Sequence, residues 1–316
     1  SGSFLPLFFS TFFISFGNGM VEAAYNPMIA DMYEDNKATM LNKFHVWFPG
    51  GLAIGSLIAY FITQMEGTGQ VKRAVMYIPL AIYGFLFYGQ TFPKTANEMD
   101  KASTSSNVKA IFSSPLYWFM LLCMILTATT ELGTQSWVER ILGNTGAQPL
   151  LILFLVTGLM AVGRYFAGPI IHKLNIPGVL WISSIISLIA IYMLSTATGG
   201  MVYVAAVMFA IGVCYFWPNM ISFVAVYLPK TGALGMSLIG GVGMVGLSIF
   251  QPIIGKWMDS ERANAIATGL QGDAAELAAG QATLDNIAWF PAILVIAFGI
   301  LYFTRKKYTP ANAPGH

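Results

Sequence analysis

Charge is scarce in this chain of 316 residues. Asp, Glu, Lys and Arg make up 9% of it, where soluble domains carry about 25%. With 56% hydrophobic residues and a mean hydropathy of +0.66, an ordinary soluble domain is excluded and an integral membrane protein is left. A net charge of +2 gives no basic footprint for nucleic acid. Cysteine is nearly absent, and Cys123 and Cys214 both lie in apolar runs, where packing is expected rather than a disulfide. The sequence holds no HExxH, GxSxG or Walker A motif, no catalytic pair and no appended soluble domain, so neither enzyme nor ATPase is expected, and no cofactor or metal. The one GxGxxG, Gly241 to Gly246, sits inside an apolar run after no strand and reads as helix packing. No charged segment with a small-residue cleavage site precedes the first apolar run, and residue 1 is Ser, so an N-terminally truncated chain without a signal peptide is expected.

What the chain has in abundance is apolar runs. Nine are long enough to span, near 4–31, 40–63, 73–92, 110–135, 149–171, 177–197, 201–227, 233–256 and 286–304, given the roughly 20 residues a helix needs. They lack period-two alternation, which excludes a membrane β-barrel. The polar stretch 93–108 divides the spans three to six, and 257–285 is expected as a loop rich in Ala, Gly and Gln, with helix where it leaves the membrane. With residue 1 outside, ten Lys and Arg fall on inner connections and five on outer ones, while Arg164 lies within a span. That asymmetry puts the C-terminus in the cytoplasm.

The stretch Gly17–Tyr33 places a carboxylate, Glu22, where water is scarce. Asn18 and Asn26 stand four residues to either side, and Thr11 and Ser15 extend the same helical stripe. Such a stripe requires a bundle interior or a wet cavity, and Glu22 either handles substrate and proton or ties helices together. In the second run His45 shares a face with Asn42 and Ser56, and either contacts substrate or bonds a backbone carbonyl. Gly51 and Gly55 form a GxxxG that predicts close helix packing. Ser114 and Pro115 predict an N-cap and first turn. Glu131 is placed near the outer boundary, reaching water or serving substrate entry. Arg164, buried in the fifth run, is expected to find an acid or to snorkel inward, and to stabilise a gate. In the seventh run Pro218 frees a carbonyl, while Tyr215, Trp217 and Asn219 offer aromatic faces and an amide suited to a sugar.

The runs VEAAYNPMIADMY and LNKFHVWFPGGLAIG resemble the fourth and fifth helices of the fucose-permease group of the major facilitator superfamily. GRYFAGPIIHKL resembles the Gly-Arg segment of their eighth helix, and YFWPNMISF with KTGALGMSLIGGVGMVGLSIFQPIIGKWMD resembles the tenth and eleventh. The resemblance implies an all-α polytopic membrane helix bundle carrying nine of twelve helices. Residues 1–92 would form an incomplete N-terminal bundle, 93–108 a cytoplasmic linker and 109–316 a six-helix C-terminal bundle. It further implies a monomeric secondary transporter of the inner membrane that takes up a monosaccharide with protons by alternating access. Glu22 falls at the fourth-helix acid that takes part in coupling. Asn18, Asn26, His45, Tyr215, Trp217 and Asn219 become substrate-binding candidates, and Arg164 and Glu131 gating candidates. Phe48 departs from a polar position of the group, which argues against fucose itself. An exporter of amphipathic small molecules is the alternative, followed by a membrane-embedded sensor or enzyme.

Overall fold

Prolines punctuate the apolar runs, and the helices divide accordingly. The computed structural model describes residues 4–91, 104–137 and 148–310, and the regular structure of these residues is helical throughout. The helices are α1 (Phe4–Met32), α2 (Lys37–Phe44), α3 (Trp47–Gln64), α4 (Gly69–Ala74), α5 (Tyr77–Phe87) and α6 (Thr104–Phe112). They continue with α7 (Pro115–Ala128), α8 (Pro149–Tyr165), α9 (Ala167–Thr196), α10 (Met201–Val213), α11 (Phe216–Tyr227), α12 (Gly232–Ala267), α13 (Gly272–Ile287) and α14 (Trp289–Phe303). A proline cannot donate to the carbonyl four residues before it, and its ring crowds that carbonyl. The breaks after Phe44, Ala74, Tyr165, Val213 and Ile287 lie four residues or so before Pro49, Pro79, Pro169, Pro218 and Pro291. Pro27 and Pro252, by contrast, sit inside unbroken helices.

Seven helical stretches of the described residues are long and apolar enough to cross a membrane: Phe4–Met32, Glu34–Gln64, Pro115–Trp137, Ala167–Thr196, Met201–Tyr227, Pro229–Ala267 and Gly272–Phe303. The two other expected spans hold shorter apolar helices. The run 149–171 yields the 17-residue α8, which ends at Tyr165 before Pro169, and the first part of α9. α9 breaks at Asn175 (φ 57°, ψ 168°) just ahead of Pro177, in the expected gap between the fifth and sixth spans. The run 73–92 yields only α5, 11 residues long, or about 16 Å at the usual rise. Segment 257–285, expected as a loop with helix where it leaves the membrane, is helical over most of its length: the end of α12 continues to Ala267 as expected, and α13 fills most of the remainder after a join at 268–271. Of the linker 93–108, residues 93–103 lie outside the described residues and 104–108 open α6. The expected cap at Ser114 is present, its hydroxyl accepting the Tyr117 N–H at 3.2 Å.

α3 runs along α8, α1 along α12, and α7 against α12, while α9 packs on α10, α13 and α14. α2 lies on α9 and α11, where a Cβ on Gly168 would meet Thr39 Cγ2 at 3.0 Å and Lys43 Nζ stands 5.4 Å over the Tyr165 ring. Packing around α1 is concentrated at this end: residues 4–21 are exposed, whereas Asn26, Pro27 and Ala30 are buried. Glycine lets α12 approach α7, since a Cβ on Gly246 would sit 2.6 Å from Ile125 Cγ2. The Gly51/Gly55 expectation is overturned, for both face open space; Gly50 and Ala53 are the residues that meet Ala161 and Gly158 of α8.

Candidate functional site

Glu22 projects from the middle of α1, one turn before Asn26, which donates from Nδ2 to Glu22 Oε2 at 2.7 Å. The i, i+4 spacing read in the sequence therefore appears as a hydrogen bond. His45 approaches the same oxygen from the break between α2 and α3, its Nε2 3.5 Å from Glu22 Oε2. Its other ring nitrogen lies 2.8 Å from the Leu41 carbonyl. A carbonyl can only accept, so Nδ1 carries a hydrogen and, in the neutral ring, Nε2 is a bare acceptor. The backbone-bonded role expected for His45 is thus taken by Nδ1, while Nε2 faces the Glu22 carboxylate. The Trp217 indole also faces the Glu22 carboxylate.

Arg164, 1% exposed, stands beyond His45 at the end of α8. Its Nη2 donates to Glu131 Oε1 at 2.7 Å, its Nε to the Cys214 carbonyl at 2.7 Å and its Nη1 to the His45 carbonyl at 3.2 Å. Residues 45 and 214 each precede a proline by four, Pro49 and Pro218. In a regular helix those carbonyls would accept the N–H of residues 49 and 218, and proline has none. The two prolines therefore leave free the two carbonyls that Arg164 takes. Pro218 marks one of them in the sequence, and Pro49 marks the other in the same way.

Glu131 does not reach out to water, as the sequence suggested. It is 1% exposed and paired with Arg164, because α7 passes into a π-helical turn at Thr129–Gly133. The wider turn rotates the residues after Ala128 away from the 3.6-residue pattern, a break that periodicity cannot reveal.

Two cavities meet at this place. The smaller, about 60 Å³, lies between the Glu22–His45 and Glu131–Arg164 pairs, with Asn18 and Trp217 in its wall. The larger, about 490 Å³, runs between α1 and α12 and is lined by Asn18, Glu22, Asn26, Phe48, Trp217 and Met244 among others. Of the other candidates, Tyr215 donates its hydroxyl to the Gly163 carbonyl at 3.0 Å. Asn219 is buried, accepting from Asn42 Nδ2 at 3.2 Å and donating to the Tyr215 carbonyl at 3.0 Å. Neither lines these two cavities. Asn219 and Asn42 instead join α11 to α2, a pairing between distant segments that no local spacing announces.

Among known proteins, residues 1–251 match the family model described as Major Facilitator Superfamily. No curated protein and no solved structure matches the chain.

Proposed function

The chain belongs to the Major Facilitator Superfamily and is a secondary transporter of the lipid bilayer; from that premise we propose that it takes up a monosaccharide with protons, Glu22 and His45 together forming the coupling site. The contact between Glu22 Oε2 and His45 Nε2 carries this reading. Two bare acceptors at this distance repel, whereas one proton between them makes a hydrogen bond. Loading that proton removes a charge from the membrane interior, which favours closure around bound solute. Its loss to the inside would favour release. Asn26 can bond either state of the carboxyl, through its amide hydrogens or its oxygen.

The sugar assignment draws on the neighbouring cavity, where Asn18 and Asn26 offer donors and acceptors and Trp217 a stacking face. Its 490 Å³ falls in the range of small-molecule sites, roughly 300–1,000 Å³. The apolar wall formed by Ile14, Phe48, Met236 and Met244 favours a second reading, export of amphipathic compounds. In the same proposal, 1–92 and 109–316 are the two helix groups that rock about the site, 93–108 joins them in the cytoplasm, and the protein works as a monomer in the inner membrane.

Glu22→Gln in proteoliposomes tests the coupling. Monosaccharide exchange should persist while accumulation driven by a proton gradient fails. Accumulation at the wild-type level would eliminate the role of Glu22, and loss of exchange as well would favour a purely binding or structural carboxylate. Uptake of amphipathic cations in place of sugars would favour the exporter.

A further inference from the structure

Hydrogen bonding across the two cavities is unbalanced in one direction. Among the described residues that line the two cavities, the buried side-chain atoms that lack a hydrogen bond are Glu131 Oε2, His45 Nε2 and Asn26 Oδ1. All are acceptors once the His45 hydrogen is assigned to Nδ1 and Glu131, paired with Arg164, is taken as ionised. Glu131 is the sharpest case. Arg164 occupies Oε1, the Trp217 backbone N–H faces the carboxylate, and Oε2 still makes no hydrogen bond. A buried ionised oxygen left without a donor is costly.

The charges lean the same way. With both acids ionised and His45 neutral, Glu22, Glu131, His45 and Arg164 carry a net −1. The small cavity's 60 Å³ accommodates one functional group of a solute, since about 10–15 Å³ suffices for a water. It shares Asn18, Glu22, Phe48, Trp217 and Met244 with the larger cavity. A solute body in the larger space can therefore extend one group to Glu131.

We propose that Glu131 Oε2 is a specificity-determining contact that receives a hydrogen-bond donor, hydroxyl or ammonium, from the transported solute and turns away solutes presenting a carboxylate there. This rests on the reading of these cavities as the transport site. It departs from a gating role for Glu131, because Arg164 engages one carboxylate oxygen and leaves the other for the solute.

The test is equilibrium binding to the protein in proteoliposomes, read by tryptophan fluorescence. The probes are matched hexose, 2-amino-2-deoxyhexose and hexuronate in the gluco, galacto and manno series. In at least one series the hexose or the aminohexose should bind at least about tenfold more tightly than the uronate, as a site built to accept donors requires. Glu131→Gln sharpens the test. Arg164, which only donates, holds the amide oxygen, so an NH₂ donor stands where Oε2 was. Affinity for the hexose or aminohexose should fall about tenfold and the disadvantage of the uronate should shrink or invert. Uronate binding as tight as the hexose, or equal affinities in wild type and Glu131→Gln, would overturn the proposal while leaving a sugar transporter in place. Binding of the aminohexose alone would support the donor contact and overturn the neutral-sugar reading. No binding in any series would overturn both. The wild-type comparison decides even if Glu131→Gln does not fold.

Discussion

At the scale of single residues the decisive group is Arg164, because one guanidinium satisfies a carboxylate and two backbone carbonyls. Arg164→Ala would leave Glu131 buried without its cation and both carbonyls without a donor. Breaking a buried pair from one side costs about 3–5 kcal/mol, so a large fall in thermal stability in detergent is expected, together with loss of transport. An unchanged melting temperature and transport rate would remove the residue from any structural or gating role. Arg164→Lys keeps the charge but offers a compact ammonium in place of a planar fork. It should restore part of the stability and little of the transport, measured on the same preparations. The sequence made Arg164, Glu22 and Asn26 legible because a polar atom inside an apolar run needs a partner. It did not reveal which acid Arg164 meets, since Glu131 precedes it by 33 residues and turns inward only through the π-helical turn.

Among the elements, the helix breaks were more legible than the packing. Proline positions account for where α2, α4, α8, α10 and α13 end, by a mechanism that needs no tertiary information. Close packing was harder to read, as Gly246 meets Ile125 closely while Gly51 and Gly55 meet nothing. A glycine pattern marks the possibility of contact, and only the neighbouring helix decides which face is used. Gly246→Leu should accordingly destabilise the α7–α12 contact by about 1–3 kcal/mol through overpacking, whereas Gly55→Leu should be near neutral. Thermal melting of the two variants in detergent checks the contrast, and equal effects would contradict the packing described. Pro218→Ala returns an N–H that competes with Arg164 for the Cys214 carbonyl. Slower transport with retained or increased thermal stability is expected, and wild-type transport would show that the break is dispensable.

For the whole molecule, composition was enough to establish a membrane-embedded helical protein, and the family match agrees with it. Topology carries its own prediction. Cysteines placed at Leu270 and Lys306 should react with impermeant reagents from opposite sides of the membrane; labelling from one side would refute the proposed orientation. The Arg164 contacts also have a mechanical consequence. His45 and Cys214 are at once the corners of two bent rods, α2–α3 and α10–α11, and the sockets for a single pin from α8. Straightening or swivelling at either corner would shift a socket and strain the contact that Arg164 makes with the other. The pin grips backbone atoms rather than the side chains at 45 and 214, so the link belongs to the path of the chain itself.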